Sequence, residues 1–354
     1  MLRVAAVGDR VMAEPALKSS DVFDDDRTSQ VAELSDKVFG RPPKRVAFPG
    51  GQSRSAFIAD MGDAPYVFAK REDKDDAQLE GIVLRTLGDS RYVPKLKAVV
   101  ENWVVQEFIP GGRLPMVLEA EADYSERERL VAGALESLIH IHETAHAKNL
   151  HHRVPKVGTV DKWLWNRTGA AKRISKALDI APPELDREKL VERMDVKRDE
   201  FVKWDARPGN AMVTREGVLW FDWEDCGRSK ALDDLAFVLC DEWMDVGVDG
   251  EWRLIDTYFP FFNRSLSPHQ GRHYLRLFGV THMVLRLRMA QKLYSRDDEW
   301  WDRDYCLKGD KIGVTPTEMA RLVNRAKRWS DGVDELKPLP AWLDSLAGRL
   351  KLPV

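Results

Sequence analysis

The sequence predicts an α+β chain of two unequal lobes, a small β-rich N-terminal one and a larger, mainly helical C-terminal one. Three observations carry this. Short apolar runs separated by glycine and proline turns crowd residues 44–109. Beyond residue 112, apolar residues recur mostly at helical spacing. One β-type pair, "AMVT" and "VLWFDWE", interrupts that helical part. The boundary falls near residue 108, giving lobes over 1–108 and 109–354, with the cleft between them as the expected ligand site.

Taken in order, residues 1–26 are polar and end in "DVFDDD", a loose extension. "RTSQVAELSDKVFG" predicts a helix over 27–40 that stops at Gly40, before Pro42 and Pro43. Strands are expected near 44–48, 54–60 and 66–71, with turns at "PGGQS" and "MGDAP". A helix over 74–88 puts Leu79, Ile82, Val83 and Leu87 on one face. "KLKAVV" and "WVVQEFI" predict two more strands, and "PGG" at 110–112 breaks the chain. A long amphipathic helix follows over 124–148 and another over 185–201. Helices dominate from 231, and "ELKPLPAW" precedes a last helix over 341–350.

Composition narrows the function classes. Hydrophobic residues make up 44% of the 354, enough for a sizeable core. A net charge of −3 argues against general nucleic-acid binding, which needs a basic surplus to displace counterions. Cys226, Cys240 and Cys306 are odd in number and unclustered. They give no disulfide framework, so a reducing, cytoplasmic setting is expected. "MLRVAAVGDRVM" has no apolar run fit for a signal peptide. No stretch approaches the ~20 apolar residues of a membrane span.

One motif points elsewhere. "HETAHAKNLHH" places His142, Glu143 and His146 in the H-E-x-x-H pattern of helical zinc hydrolases. However, Asn149 stands where the longer zinc motif has its turning glycine, and the run lies within the predicted 124–148 helix. A packed scaffold segment is the expectation, with the zinc hydrolase as its alternative.

The chemistry concentrates in "KWDARPGNAMVTREGVLWFDWEDCGRSKALDDLA". Its "DARPGN" at 205–210, apolar strand, "FDWE" at 221–224 and "DLA" at 234–236 follow in order. The arrangement resembles the aminoglycoside phosphotransferase and choline kinase family, a branch of the protein-kinase-like fold. Its loop usually reads H-G-D-x-H-P-G-N, then I-D-W-E, then D-L-A. The resemblance spans roughly residues 45–300 and implies a two-lobed kinase-like α+β fold. It also implies transfer of phosphate from ATP or GTP, with Mg²⁺, to a hydroxyl of a small molecule. Phosphoryl transfer needs a carboxylate to accept the hydroxyl proton and hard ligands for Mg²⁺. Asp205 suits the first role, and Asn210 with Asp222 the second.

The resemblance implies further roles. Lys70, ending "PYVFAK", would meet the α/β-phosphates and pair with Glu80 of the following helix. "PGGQSRS" would cover the phosphates through Gly50, Gly51, Ser53 and Ser55. Backbone groups near Glu107 and Ile109 would read the base. Asp234 would support the catalytic loop from beneath. Lys203 and Trp204 replace the family's first histidine and glycine, and Arg207 its second histidine. Arg207 is expected either to face the transferring phosphate or to form a salt bridge with Glu224 or Asp225. Acids over 231–260 and "DDEWWDRDY" suit a cationic acceptor such as an amino-sugar or amino-alcohol, or are solvated helix faces with tryptophans packed in the core. A kinase-shaped binding protein without turnover is the remaining alternative.

Overall fold

The structure, a computed structural model, describes residues 26–48 and 55–354. Helix α1 (Asp26–Phe39) leads into a five-stranded sheet. Its strands are β1 (Arg45–Ala47), β2 (Ala56–Asp60), β3 (Pro65–Lys70), β4 (Leu96–Val100) and β5 (Trp103–Glu107). The order is β1-β2-β3-β5-β4, and every neighbour pair is antiparallel. Helix α2 (Lys74–Thr86) crosses between β3 and β4, capped by Asp73, which accepts from the N–H groups of Asp75 and Asp76.

The two faces of this sheet bury different things. Phe57, Phe68, Trp103 and Val105 pack with Val31 and Leu34 of α1. Val104 points the other way and joins Ala77, Val83, Leu84 and Leu87 of α2's segment in the larger core. Because side chains alternate along a strand, the residue parity at the end of β3 decides which side chain reaches α2.

"PGG" does more than break the chain. Gly112 and Arg113 form β6 (Gly112–Arg113), paired with Val213 and Met212 of β8 (Ala211–Thr214). Gly111 allows that approach, since a Cβ there would lie 2.3 Å from the Val213 carbonyl oxygen. Then come α3 (Leu114–Ala120), α4 (Tyr124–Ala147), α5 (Trp165–Thr168), α6 (Ala170–Leu178) and α7 (Arg187–Met194). The helix expected over 185–201 ends at Met194. Glu200–Val202 instead forms β7, antiparallel to β10 (Gly227–Ser229), because the bulky apolar Phe201 and Val202 are buried against that partner.

β8 pairs with β9 (Gly217–Trp220), a short hairpin between Asn210 and Asp222. The strand expected to run to Glu224 stops at Trp220, just before Asp222 turns into the left-handed region at φ 62°. The rest is helical: α8 (Ala231–Leu239), α9 (Gly247–Phe262), α10 (Pro268–Asp297), α11 (Arg303–Lys308), α12 (Pro316–Ser330) and α13 (Leu339–Leu350). The fold is the protein-kinase-like two-lobed one, with an antiparallel N-terminal sheet and a mainly helical remainder. No helix among the described residues is long and apolar enough to cross a membrane.

Candidate active site

The catalytic loop follows β7 and is held from below. The backbone N–H groups of Lys203 and Trp204 donate to Asp234 Oδ2 and Oδ1 at 2.7 and 2.8 Å. His142 Nε2 donates to Asp234 Oδ2 at 2.8 Å from α4. The buried carboxylate of α8 thus fixes the loop's entry, and the first histidine of "HETAH" helps to fix the carboxylate. His146 stacks on His151, with ring centroids 5.5 Å apart. Among the described residues no three His, Cys, Asp or Glu side chains are grouped to hold a metal ion.

The loop turns at Trp204, which adopts φ 71° where the family pattern has glycine. A left-handed non-glycine residue costs about 1–2 kcal/mol. The indole offsets this by packing on Trp163, Phe237 and Phe278, with centroids 4.9, 5.5 and 6.1 Å away.

Asp205 comes next, with its side chain partly exposed. Asn210 Nδ2 donates to Asp205 Oδ2 at 2.7 Å and to the Asp205 carbonyl at 3.0 Å. That spends the amide nitrogen and leaves the Asn210 carbonyl oxygen as a hard donor. Lys203, fully buried, donates from Nζ to the carbonyls of Asp205 and Asp222 at 3.1 and 2.7 Å. One ammonium therefore ties the catalytic loop to the end of the hairpin. Burial opposes the charge on Asp205. Arg207, Lys203 and Arg286, with the Asn210 bond, outweigh it and hold the carboxyl below its ordinary value.

Across the cleft the expected pair of Lys70 with Glu80 is not formed. Lys70 Nζ donates to Gln30 Oε1 of α1 at 3.2 Å and lies 5.5 Å from the Trp103 ring. Glu80, fully buried, instead accepts from Arg71 Nε at 2.5 Å. Arg71 Nη1 also lies 2.9 Å from both Asp222 Oδ1 and Glu224 Oε2. Lys70 shares the α1 face with Phe68, whereas Arg71, one residue on, faces α2 and the hairpin. The cation that meets Glu80 is thus one position on from the sequence reading. Burial raises the Glu224 carboxyl to about 7, helped by Asp222 and Asp225 and opposed by Arg71.

Arg207 pairs with neither Glu224 nor Asp225. Its Nε donates to Asp205 Oδ2 at 3.3 Å. Its Nη1 and Nη2 donate to Asp310 Oδ1 and Oδ2 at 3.2 and 2.9 Å. Asp310, in the turn after α11, is a site residue the sequence reading missed. It lies 103 residues from Arg207, and no local pattern marks it.

Of the remaining expected residues, Gly50, Gly51 and Ser53 lie outside the described ones. Ser55 is exposed, and its carbonyl accepts from the Lys70 N–H at 2.8 Å. Glu107 ends β5 with its N–H already donated to the Lys95 carbonyl at 2.9 Å, and Ile109 lies just beyond the strand. Most acids of 231–260 are paired internally. Glu242 takes Arg286 in two contacts, Asp245 meets Arg127 and Arg321, and Glu251 meets Arg325 and Arg328. They form neither a cation-binding wall nor a solvated face.

A loop carboxylate and asparagine, an aspartate just past the hairpin and an arginine just past β3 are groups of the kind that phosphoryl transfer uses. Residues 44–261 match the phosphotransferase enzyme family, and the chain belongs to it. Among curated proteins no sequence matches it. Solved structures show the same fold at low identity. Choline kinase LicA from Streptococcus pneumoniae is 14% identical with a TM-score of 0.50, over 85% of this chain and 98% of its own. The gentamicin complex of aminoglycoside phosphotransferase APH(2")-IIa gives 15% and 0.52, over 82% and 97%. ADP-bound APH(2'')-Ib gives 13% and 0.51, over 86% and 99%.

Proposed function

We propose that this phosphotransferase moves the γ-phosphoryl group of ATP or GTP to a hydroxyl of a small molecule. The observation that carries the reading is the Lys203 bridge, which joins Asp205 and Asp222 while Asn210 bonds to the same Asp205. Asp205 accepts the acceptor's hydroxyl proton as that oxygen attacks phosphorus and the nucleoside diphosphate leaves. Asn210 and Asp222 offer one amide and one carboxylate oxygen, hard donors that would hold Mg²⁺. When bound, the metal would neutralise phosphate charge.

Arg71 takes the α/β-phosphate role first given to Lys70, and Arg207 flanks the transferring group. The Glu107–Ile109 connector reads the base. The division into a nucleotide lobe (1–108) and a catalytic lobe (109–354) belongs to the same reading. An amino-sugar or amino-alcohol acceptor is supported by choline and gentamicin in the names of the similar structures. It is not supported by the acids of 231–260, most of which are paired within the protein.

The test is a coupled ADP-release screen over aminoglycosides, amino-alcohols and sugars, with Asp205→Asn as the blank. Acceptor-dependent release above that blank is expected. Nucleotide binding with no transfer to any acceptor would replace the enzyme by a kinase-shaped binding protein.

A further inference from the structure

We infer that Asp310 is a positioning residue that draws the fork of Arg207 off the catalytic carboxylate and so keeps one Asp205 oxygen open. The inference rests on Asp205 being the base. It concerns a residue beyond the 44–261 stretch that matches the family.

The contacts around Arg207 are unequal. Both fork nitrogens go to Asp310, at 3.2 and 2.9 Å. Asp205 receives only Nε, at 3.3 Å and on Oδ2. A two-point guanidinium–carboxylate pair is the stronger and more directional arrangement. Oδ2 also takes the Asn210 amide. Asp205 Oδ1 accepts no hydrogen bond among the described residues, which makes it the oxygen available to the acceptor's proton.

Asp310 is placed independently of Arg207. Its turn is pinned on both sides, with Gly309 N–H on the Tyr305 carbonyl at 3.1 Å before it, and Lys311 N–H on the Cys306 carbonyl at 2.8 Å and Gly313 N–H on Glu242 Oε1 at 3.0 Å after it. Trp243 Nε1 donates to the Lys311 carbonyl at 3.2 Å. Arg113 Nη1 lies 3.3 Å from Asp310 Oδ1. Gly209 admits the carboxylate, because a Cβ there would sit 2.1 Å from Asp310 Oδ1. The loop glycine, the Asp310 turn and the arginine form one fitted contact.

Without Asp310, the carboxylate that Arg207 already touches is Asp205. The fork then closes on Asp205 with two N–H groups, occupies Oδ1 and blocks proton transfer. The arginine that assists phosphate transfer becomes an inhibitor of the base.

The test compares Asp310→Ala, the near-isosteric Asp310→Asn, Arg207→Ala and the Asp310→Ala/Arg207→Ala double variant. In Asp310→Ala, kcat is expected to fall by about tenfold or more, within the range a general base contributes, while KM for ATP stays within about twofold. Asp310→Asn, which keeps the side-chain shape, should fall in the same direction. In the Arg207→Ala background the Asp310 change should cost nothing further, since no fork remains to close. A crystal structure of Asp310→Ala should show both Nη atoms on Asp205. Losses that multiply in the double variant, or a fork that stays clear of Asp205 in that crystal structure, would overturn the inference. If the wild type releases no ADP above the Asp205→Asn blank, the kinase reading fails separately, and the crystal structure alone decides the placement of Arg207.

Discussion

Arg71 Nε meets Glu80 Oε2 at 2.5 Å beneath the N-terminal sheet, and the same guanidinium reaches Asp222 on the hairpin at 2.9 Å. This one side chain joins the sheet, α2 and the expected metal ligand. Arg71→Met should therefore abolish acceptor-dependent ADP release. It should also lower stability by about 3–5 kcal/mol, because Glu80 is left buried without its counter-charge. Lys70→Met breaks the bond to Gln30 and the contact with the Trp103 ring, neither of which reaches Asp222, and should keep at least half of the activity. Steady-state kinetics and urea melts of the two variants separate them, and equal losses would return the phosphate role to Lys70.

Lys203→Met removes both bonds from Nζ and leaves the Asp222 carbonyl without its donor beside a new apolar side chain, while the Asp205 carbonyl keeps the Asn210 amide. Each unsatisfied buried acceptor costs about 1–3 kcal/mol. A lower melting midpoint is expected, together with a higher Mg²⁺ requirement as Asp222 loses its tie to the loop. A Mg²⁺ titration of ADP release checks the second effect, which a merely destabilised loop would not produce.

At Trp204 two terms oppose each other. Trp204→Gly relieves about 1–2 kcal/mol of left-handed strain. It deletes a large aromatic from the core, a loss of about 3–5 kcal/mol in comparable truncations. The packing term wins, so the family's own glycine should destabilise this chain by about 2 kcal/mol. A chemical denaturation curve reads the sign directly, and a stabilised variant would refute the argument.

His142→Leu should leave the zinc content of the purified protein unchanged while lowering stability, since it removes the Asp234 bond but no metal ligand. Elemental analysis with a thermal melt distinguishes this from the zinc reading. Zinc present at one equivalent in the wild type and lost in the variant would contradict the structure.

The Asp205 carboxyl sits below its ordinary value because Arg207, Lys203 and Arg286 prevail over burial. It is therefore ionised throughout the neutral range, and proton acceptance by Asp205 should not limit the rate between about pH 6 and 8. In Arg207→Ala the carboxyl loses its nearest cation and rises, so the acid limb of kcat/KM should move to higher pH. A limb that moves the other way would show that Arg207 does not act on Asp205.

What the sequence revealed depended on how local each signal was. The strand and turn pattern of 44–109 and the ordered run from Lys203 to Ala236 are short-range, and they predicted the sheet, the loop and the hairpin. Arg71 was missed because the end of β3 offers two adjacent cations, and only the sheet's packing on α1 and α2 separates their faces. The segment 185–201 read as helix until Phe201 and Val202 found a strand partner near residue 228. Asp310 could not be found by spacing, because its partner lies in a different part of the chain. The acids of 231–260 looked like a ligand wall for the same reason, since their arginines are supplied largely from 286 onward.

That last pairing has a practical side. Arg325 Nε and Trp329 Nε1 both reach the Glu251 carboxylate at 2.7 Å, and Trp342 Nε1 reaches Ser175 Oγ at 2.8 Å. The stretch from Pro316 onward looks dispensable when the chain is aligned with its family, whose match ends at residue 261. A chain shortened at 315 would instead lose the counter-ions of its own interior. Expression trials and chimaeras with relatives should move α6, α9, α12 and α13 together or leave all four in place.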